Sequence, residues 1–232
     1  MMAGILYAIP TPLGGTAVAA LPAPALAMIR SLRHFVVENA KTARAFLKDV
    51  DMPCPLQELG VATIDADVSP HIRNLEAGSS LGLLSEAGCP AIADPGAALV
   101  EAAHDAGIRV VPLVGPSSIV LALMASGLEG QRFAFCGYLP RETEERKKRI
   151  KELEARSHSE RETQIFIETP YRNDVLLACL LESLPEKTLL CIATDLTLAS
   201  EQVHTQPISR WRKARPAIGK RPTVFLMLSV GR

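Results

Sequence analysis

Ser85-Glu86-Ala87-Gly88-Cys89-Pro90-Ala91-Ile92-Ala93-Asp94-Pro95-Gly96 is a loop-forming run set between an apolar stretch, Leu81 to Leu84, and a helix-like stretch, Ala97 to Ala106. An apolar run of strand length, then a loop rich in Gly, Pro and carboxylates, then an amphipathic helix marks the carboxyl end of a buried parallel strand. Open α/β sheets bind ligands at such ends. The pattern repeats at once: Arg109 to Leu113 reads as a strand, Val114-Gly115-Pro116 as a turn, and Ser117-Ser118 as the N-cap of a helix reaching about Ala125. Two strand ends with small, polar loops suit a ligand site, and they equally suit ordinary βα turns.

Working outward, Gly4 to Ile9 reads as a short strand followed by the loop Pro10-Thr11-Pro12-Leu13-Gly14-Gly15. Leu21 to Leu32 reads as a helix, His34 to Val37 as a strand ending in Glu38-Asn39, Ala40 to Leu47 as a helix, Leu59 to Ile64 as a strand and Pro70 to Ala77 as a helix. A second series follows Gly127. Phe133 to Leu139, Gln164 to Glu168, Leu189 to Thr194 and Thr223 to Leu228 are strand-like, while Arg141 to Glu154 and Asn173 to Ser183 are helix-like. In the first of these helices Glu144/Lys148 and Glu145/Arg149 are spaced as ion pairs. The expected class is α/β with two domains, residues 1–116 and 117–232.

With 25 basic and 25 acidic residues the formal charge is zero, so no global field draws the chain to a polyanion and any nucleic-acid contact needs a local patch. The candidate is Arg210-Trp211-Arg212-Lys213 with Arg215, Lys220 and Arg221. It reads either as a phosphate-contacting segment with Trp211 stacked on a base or as an amphipathic helix with Trp211 docked in the core. The five cysteines are scattered and never spaced C-x-x-C, and the histidines lie in no ligand spacing, so neither disulfides nor a metal is expected; a reducing, cytoplasmic setting fits. Charged side chains first occur at Arg30, yet Pro10, Pro12, Pro22 and Pro24 with Gly14-Gly15 break any signal-peptide helix. Val110 to Leu128 is uncharged as well, and Pro112, Gly115 and Pro116 argue for a buried strand, turn and helix instead of a membrane span.

Ser85 to Gly96 resembles the S-D-A-G-x-P-x-I-S-D-P-G loop, and Gly115-Pro116-Ser117-Ser118 the G-P-S-A segment, of the tetrapyrrole methylase superfamily of S-adenosylmethionine-dependent methyltransferases. Within it the match is to the branch that methylates a cytidine 2′-hydroxyl of small-subunit ribosomal RNA. The loop Pro10 to Gly15 resembles T-P-I-G-N in keeping its T-P-x-G form, Gly137 to Pro140 resembles G-F-L-P, Phe166 to Arg172 resembles F-Y-E-x-P-H-R, and Ala193 to Thr197 resembles the start of A-R-E-L-T-K. The chain departs from the branch pattern at Asn39 and Lys41 in A-E-D-T-R-x-T-R. It departs again at Thr194 and Leu198, and at Gly219-Lys220-Arg221-Pro222, where the branch has the acidic G-E-F-V.

The resemblance implies a two-domain fold with S-adenosylmethionine in the interdomain cleft, and a homodimer. It places cofactor contacts at Pro10, Leu13, Ser85, Glu86, Ala87, Gly88, Cys89, Ile92, Ser117, Ser118, Leu139, Thr194 and Pro222. Methyl transfer from a sulfonium needs no metal, only orientation and the handling of one proton. A ribose hydroxyl is a poor nucleophile at neutral pH, which makes a general base useful. Glu38, Asp94 and Asp195 are the candidates by position at loop ends, each of which also reads as a capping or solvated carboxylate; Asp94, before Pro95-Gly96, reads more readily as a helix N-cap or turn residue. The expected substrate is ribosomal RNA. The alternatives are a small tetrapyrrole-type molecule, or a cofactor-binding protein that has lost catalysis at Asn39, Thr194 and Leu198.

Overall fold

The computed structural model describes residues 3–230. The chain forms two compact units, one ending at Ser117 and the other beginning at Ser118.

The first unit contains β1 (Leu6–Ile9), α1 (Ala17–Ala20), α2 (Ala23–Ser31), β2 (His34–Val37), α3 (Ala40–Asp49), β3 (Gly60–Thr63), α4 (Ser69–Glu76), β4 (Leu81–Leu84), α5 (Ala97–Asp105) and β5 (Val110–Pro112). Its five strands are all parallel, in the order β3-β2-β4-β1-β5. Every residue of β4 is buried, as an unbroken apolar run in a parallel sheet requires. Its side chains divide between two cores: Leu84 joins Ile9, Ile29, Phe35 and Leu47 on one face, Leu83 joins Leu6, Val36, Leu75 and Leu99 on the other. Each fully buried leucine contributes roughly 1.5–3 kcal/mol relative to exposure. Gly82 is required in β4 because a Cβ there would lie 2.7 Å from Ile9 Cδ1 and 2.8 Å from Phe35 Cδ1, the side chains of both neighbouring strands. The short helix α1 was not anticipated from the sequence; Thr16 caps it by accepting from Ala19 N–H at 3.3 Å, and the Asp49 carboxylate accepts from Ala17 N–H.

The second unit contains α6 (Ser118–Ser126), β6 (Phe133–Tyr138), α7 (Thr143–Glu160), β7 (Thr163–Ile167), α8 (Asn173–Ser183), β8 (Leu189–Thr194), β9 (Gln202–Pro207), α9 (Ile208–Lys213) and β10 (Thr223–Leu228). The sheet order is β6-β7-β10-β8-β9, with β10 antiparallel to both neighbours. The core gathers Ile150, Leu153, Phe166, Leu177, Leu190 and Phe225, and the Phe166 and Phe225 rings stack at 6.0 Å.

Three sequence expectations need correction here. The charged helix runs six residues beyond Glu154, to Glu160, because Ser157 is fully buried and its hydroxyl accepts from Ser229 N–H at 2.9 Å. The expected pairs Glu144/Lys148 and Glu145/Arg149 are replaced by Lys147 with Glu144 (3.8 Å) and Glu182 (2.8 Å), and by Arg149 with Glu152 (3.2 Å). Lys147 reaches α8, and that tertiary partner overrides the helical spacing. Strand β9 carries no sequence signal, because Gln202-Val203-His204-Thr205-Gln206-Pro207 is a polar edge strand with no apolar alternation.

Candidate functional site

In the first sheet the chain leaves β1 toward β2 and leaves β4 toward β5, crossing in opposite directions. Because β1 and β4 are neighbours, their carboxyl ends form the crevice at a topological switch point. The loop after each strand is stitched to the other. Thr11 N–H donates to Gly88 O at 2.8 Å, and Gly88 N–H to Thr11 O at 3.0 Å. Thr11 Oγ1 donates to Ser85 O at 3.4 Å, and buried Ser85 donates to Gly88 O at 3.2 Å. Gly88 has φ +80°, a conformation that favours glycine, and a Cβ there would lie 3.3 Å from Leu13. Gly115 closes against buried Pro10; a Cβ at Gly115 would meet Pro10 Cβ at 2.5 Å. Cys89 Sγ donates to Pro116 O at 3.5 Å, with its thiol pKa raised by burial and secondarily by Asp94. Ala91 and Ala93 both sit at φ 65°, unusual for non-glycine residues and characteristic of constrained functional loops.

Three carboxylates converge on this crevice. Glu38 Oε2, at the end of β2, accepts from Glu86 N–H at 3.2 Å, and Glu86 Oε1 accepts from Thr42 Oγ1 at 3.2 Å. Half-buried Asp94 has its pKa pushed up to about 6, first by burial, then by the charge of Glu38 and to a lesser extent of Glu86; the Ser85 hydroxyl opposes the shift. Of the two readings of its sequence position, N-cap or turn, Asp94 fits the second, lying in the bend before α5. Gly96, at φ +128°, occupies the N-cap of α5 and brings no side-chain bond. Asn39, one of the departures from the branch pattern, does cap a helix, accepting from Lys41 N–H at 2.9 Å at the start of α3. Ala87 and Ile92 are exposed in the loop, and Ser117 is half-buried beside Pro116. The arrangement offers acceptors for an ammonium or hydroxyls, and one carboxylate poised to take a proton.

In the second unit Ser118 opens α6. Strands β6, β7 and β8 run the same way, so their carboxyl ends share an edge with the start of β10. Leu139, Thr194, Asp195 and Pro222 all lie along it. Leu139 and Thr194 are buried, Pro222 is exposed, and Asp195 N–H donates to Pro222 O at 3.0 Å. Asp195 is buried in the left-handed region (φ 52°), with its carboxylate 4.0 Å from Arg221 Nη1. The same edge holds a pair to which sequence reasoning assigned no role: the Glu168 side chain, 1% exposed, faces Arg172 at 3.1 Å. Their i, i+4 spacing across the bend after β7 was the available signal.

The basic segment is largely committed internally. Trp211 is buried and donates to Leu190 O at 2.9 Å, so it cannot stack on a base. Arg212 bonds Leu181 O and Leu184 O, Arg215 bonds Asp174 O, and Arg221 bonds Ile218 O and Gln202. Among the described residues no group of three or more His, Cys, Asp or Glu could hold a metal ion, and no helix is long and apolar enough to cross a membrane.

The family model described as tetrapyrrole (corrin/porphyrin) methylases matches residues 6–210. A protein named ribosomal RNA small subunit methyltransferase I from Escherichia coli O157:H7 is 32% identical over 205 residues, covering 88% of this chain and 70% of that protein. The protein of the same name from Xylella fastidiosa is 35% identical, covering 86% and 71%. Among solved structures, the methyltransferase CobJ superposes with a TM-score of 0.64 at 18% identity, covering 99% of this chain and 98% of that one, and diphthine synthase with 0.67 at 14%, covering 97% and 89%. These last two establish the shared fold. The chain belongs to the tetrapyrrole methylase family and is an S-adenosylmethionine-dependent methyltransferase.

Proposed function

We propose that the chain methylates a ribose 2′-hydroxyl of small-subunit ribosomal RNA. The observation that carries the mechanism is the carboxylate group at the β1/β4 crevice: Glu38 and Glu86 held in fixed mutual geometry, with Asp94 raised to about 6. The relatives' shared name supports the substrate.

The crevice suits the cofactor's chemistry. Gly88 and Gly115 let its loops pack closely on Leu13 and Pro10, Glu86 and the carbonyls of Ala87 and Cys89 offer acceptors for an ammonium, and Pro10, Leu13 and Ile92 offer apolar surface. Ser85 and Ser117 complete the proposed contacts of the first unit. For Ser118, Leu139, Thr194 and Pro222 the support is the family resemblance alone. The cofactor when bound supplies an electrophilic methyl group.

Asp94 is then the group that accepts the hydroxyl proton. Its raised pKa brings it nearer the operating pH, where a general base is most effective. Glu38 acts as its negative neighbour. Asp195, buried and facing Arg221, is better suited to holding the turn before β9 than to proton transfer. A homodimer is part of the reading, supported by Val120 (55% exposed) and Met124 (75%), one turn apart on α6.

The test is mass spectrometry of ribosomal RNA from a deletion strain, complemented with the parent or with Asp94→Asn. One small-subunit ribose methyl group should vanish on deletion and return with the parent alone. Intact methylation in the deletion strain refutes the substrate, and full restoration by Asp94→Asn refutes the assigned base.

A further inference from the structure

A cavity of about 450 Å³ opens at the carboxyl edge of the second sheet, with Tyr138, Arg141, Glu168 and Arg172 in its wall and Leu139, a proposed cofactor contact, beside them. The volume falls in the range of small-ligand pockets. Glu168 and Arg172 neutralise each other at 3.1 Å. The Arg141 guanidinium is exposed and makes no hydrogen bond or ion pair among the described residues. Beside the cavity Tyr171 is 77% exposed, and the Lys220 ammonium stands 4.8 Å over its ring. Exposed aromatic rings flanked by unpaired cations are the elements with which proteins hold single-stranded nucleic acid. Lys220 also stands where the resembling branch has an acidic segment, so this chain has placed positive charge where the pattern places negative.

We propose that this edge is a subsite for single-stranded RNA, in which a base stacks on the face of Tyr171 opposite Lys220, Arg141 and Lys220 take the flanking phosphates, and the cavity receives the adjoining nucleotide. The proposal rests on RNA being the substrate. It locates the electrostatic handle away from Arg212, Arg215 and Arg221, whose donors are bound to backbone carbonyls. Cation–π contact from Lys220 holds the ring in place and leaves its other face open to a base.

The experiment is fluorescence anisotropy of the full chain with a labelled single-stranded RNA of about 12 nucleotides across a KCl series, with calorimetry of S-adenosylhomocysteine in parallel. Tyr171→Ala should weaken RNA binding about 5- to 150-fold, the equivalent of one lost stack, with the salt slope unchanged; Tyr171→Phe should restore binding to within about threefold. Arg141→Ala with Lys220→Ala should lower the salt slope by about 1.4. All three variants should bind S-adenosylhomocysteine like the parent. If the variants bind RNA like the parent while the parent methylates ribosomal RNA, the subsite is wrong and the substrate reading stands. If the parent binds no RNA, the substrate reading fails and the subsite falls with it. A matching loss of S-adenosylhomocysteine affinity, or a change of sedimentation in place of RNA affinity, overturns the assignment in favour of a cofactor wall or a subunit contact.

Discussion

Gly115→Ala tests whether the two loops of the first unit are locked together by close backbone packing. The added Cβ would lie 2.5 Å from Pro10 Cβ, 2.9 Å from Pro10 Cγ and 2.9 Å from Leu21 Cδ2. The shortest of these is about 1 Å inside the optimum carbon–carbon separation. Leu21 can turn part of the way aside, but the Pro10 ring has no rotamer to escape into, so the strain passes to the backbone. Overpacking of this kind costs about 1–3 kcal/mol, and the rigid partner places Gly115→Ala in the upper half of that range. For a unit of this size the melting transition should fall by roughly 5–10 °C. Pro10 immediately precedes the Thr11–Gly88 bridge, so S-adenosylhomocysteine affinity should fall more than about tenfold, or 1.4 kcal/mol. Gly130→Ala is the control, since a Cβ there meets nothing within 4 Å. Scanning calorimetry and isothermal titration supply the two readouts. A Gly115→Ala protein that melts within about 1 °C of the parent and binds normally would refute the packing argument.

Asp94 has a folded pKa raised from 3.8 to about 6, so the proton binds more tightly in the folded chain than in the unfolded one. The stability this gives is present below about pH 4, is lost as pH rises through about 6, and leaves the full penalty above. Asp94→Asn should therefore stabilise the protein at pH 8 by about 1–2 kcal/mol after allowance for solvent screening, flatten the pH dependence of urea unfolding between 4 and 6, and abolish methyl transfer; an unchanged profile counts against the assignment. Arg172→Ala strands the buried Glu168 carboxylate and should cost about 3 kcal/mol in chemical denaturation, most of it recovered by adding Glu168→Gln; additivity of the two would show that they do not interact. Trp211→Phe loses the bond to Leu190 O and should cost about 1–2 kcal/mol while leaving RNA affinity untouched; a loss of RNA binding without destabilisation would mean that the indole is accessible.

Much of the first unit was legible because its strands are short apolar runs and its loops carry the residues that their conformations demand. Leu81 to Leu84 and the glycines at 88 and 96 announce a buried strand and a constrained loop. Asp94 was legible as a candidate base and as a cap or turn residue alike, and no local pattern separates these, because its pKa is raised first by burial and then by Glu38, which follows β2. The contact between Glu38 and Glu86 spans 48 positions, and no local pattern encodes it. In the basic segment the alternative with Trp211 docked in the core holds, while the fate of its arginines was not legible. A run of arginines reads as solvated charge, yet Arg212 reaches 28 and 31 positions back to carbonyls at the end of α8, where a guanidinium satisfies groups that the helix leaves unpaired.

The position of β10 imposes a schedule on synthesis. A nascent chain holds all five strands of the first sheet once Pro112 has emerged, whereas the second exists only as two separate pairs, β6 with β7 and β8 with β9, until Thr223–Leu228 arrives to join them. Until then, the apolar edges of β7 and β8 stand open to other strands, an exposure that chaperones and proteases are equipped to recognise. A ribosome that stalls between these points would release a finished first half attached to a severed second half. The centre of the second sheet therefore serves as a test of whether translation has passed β10.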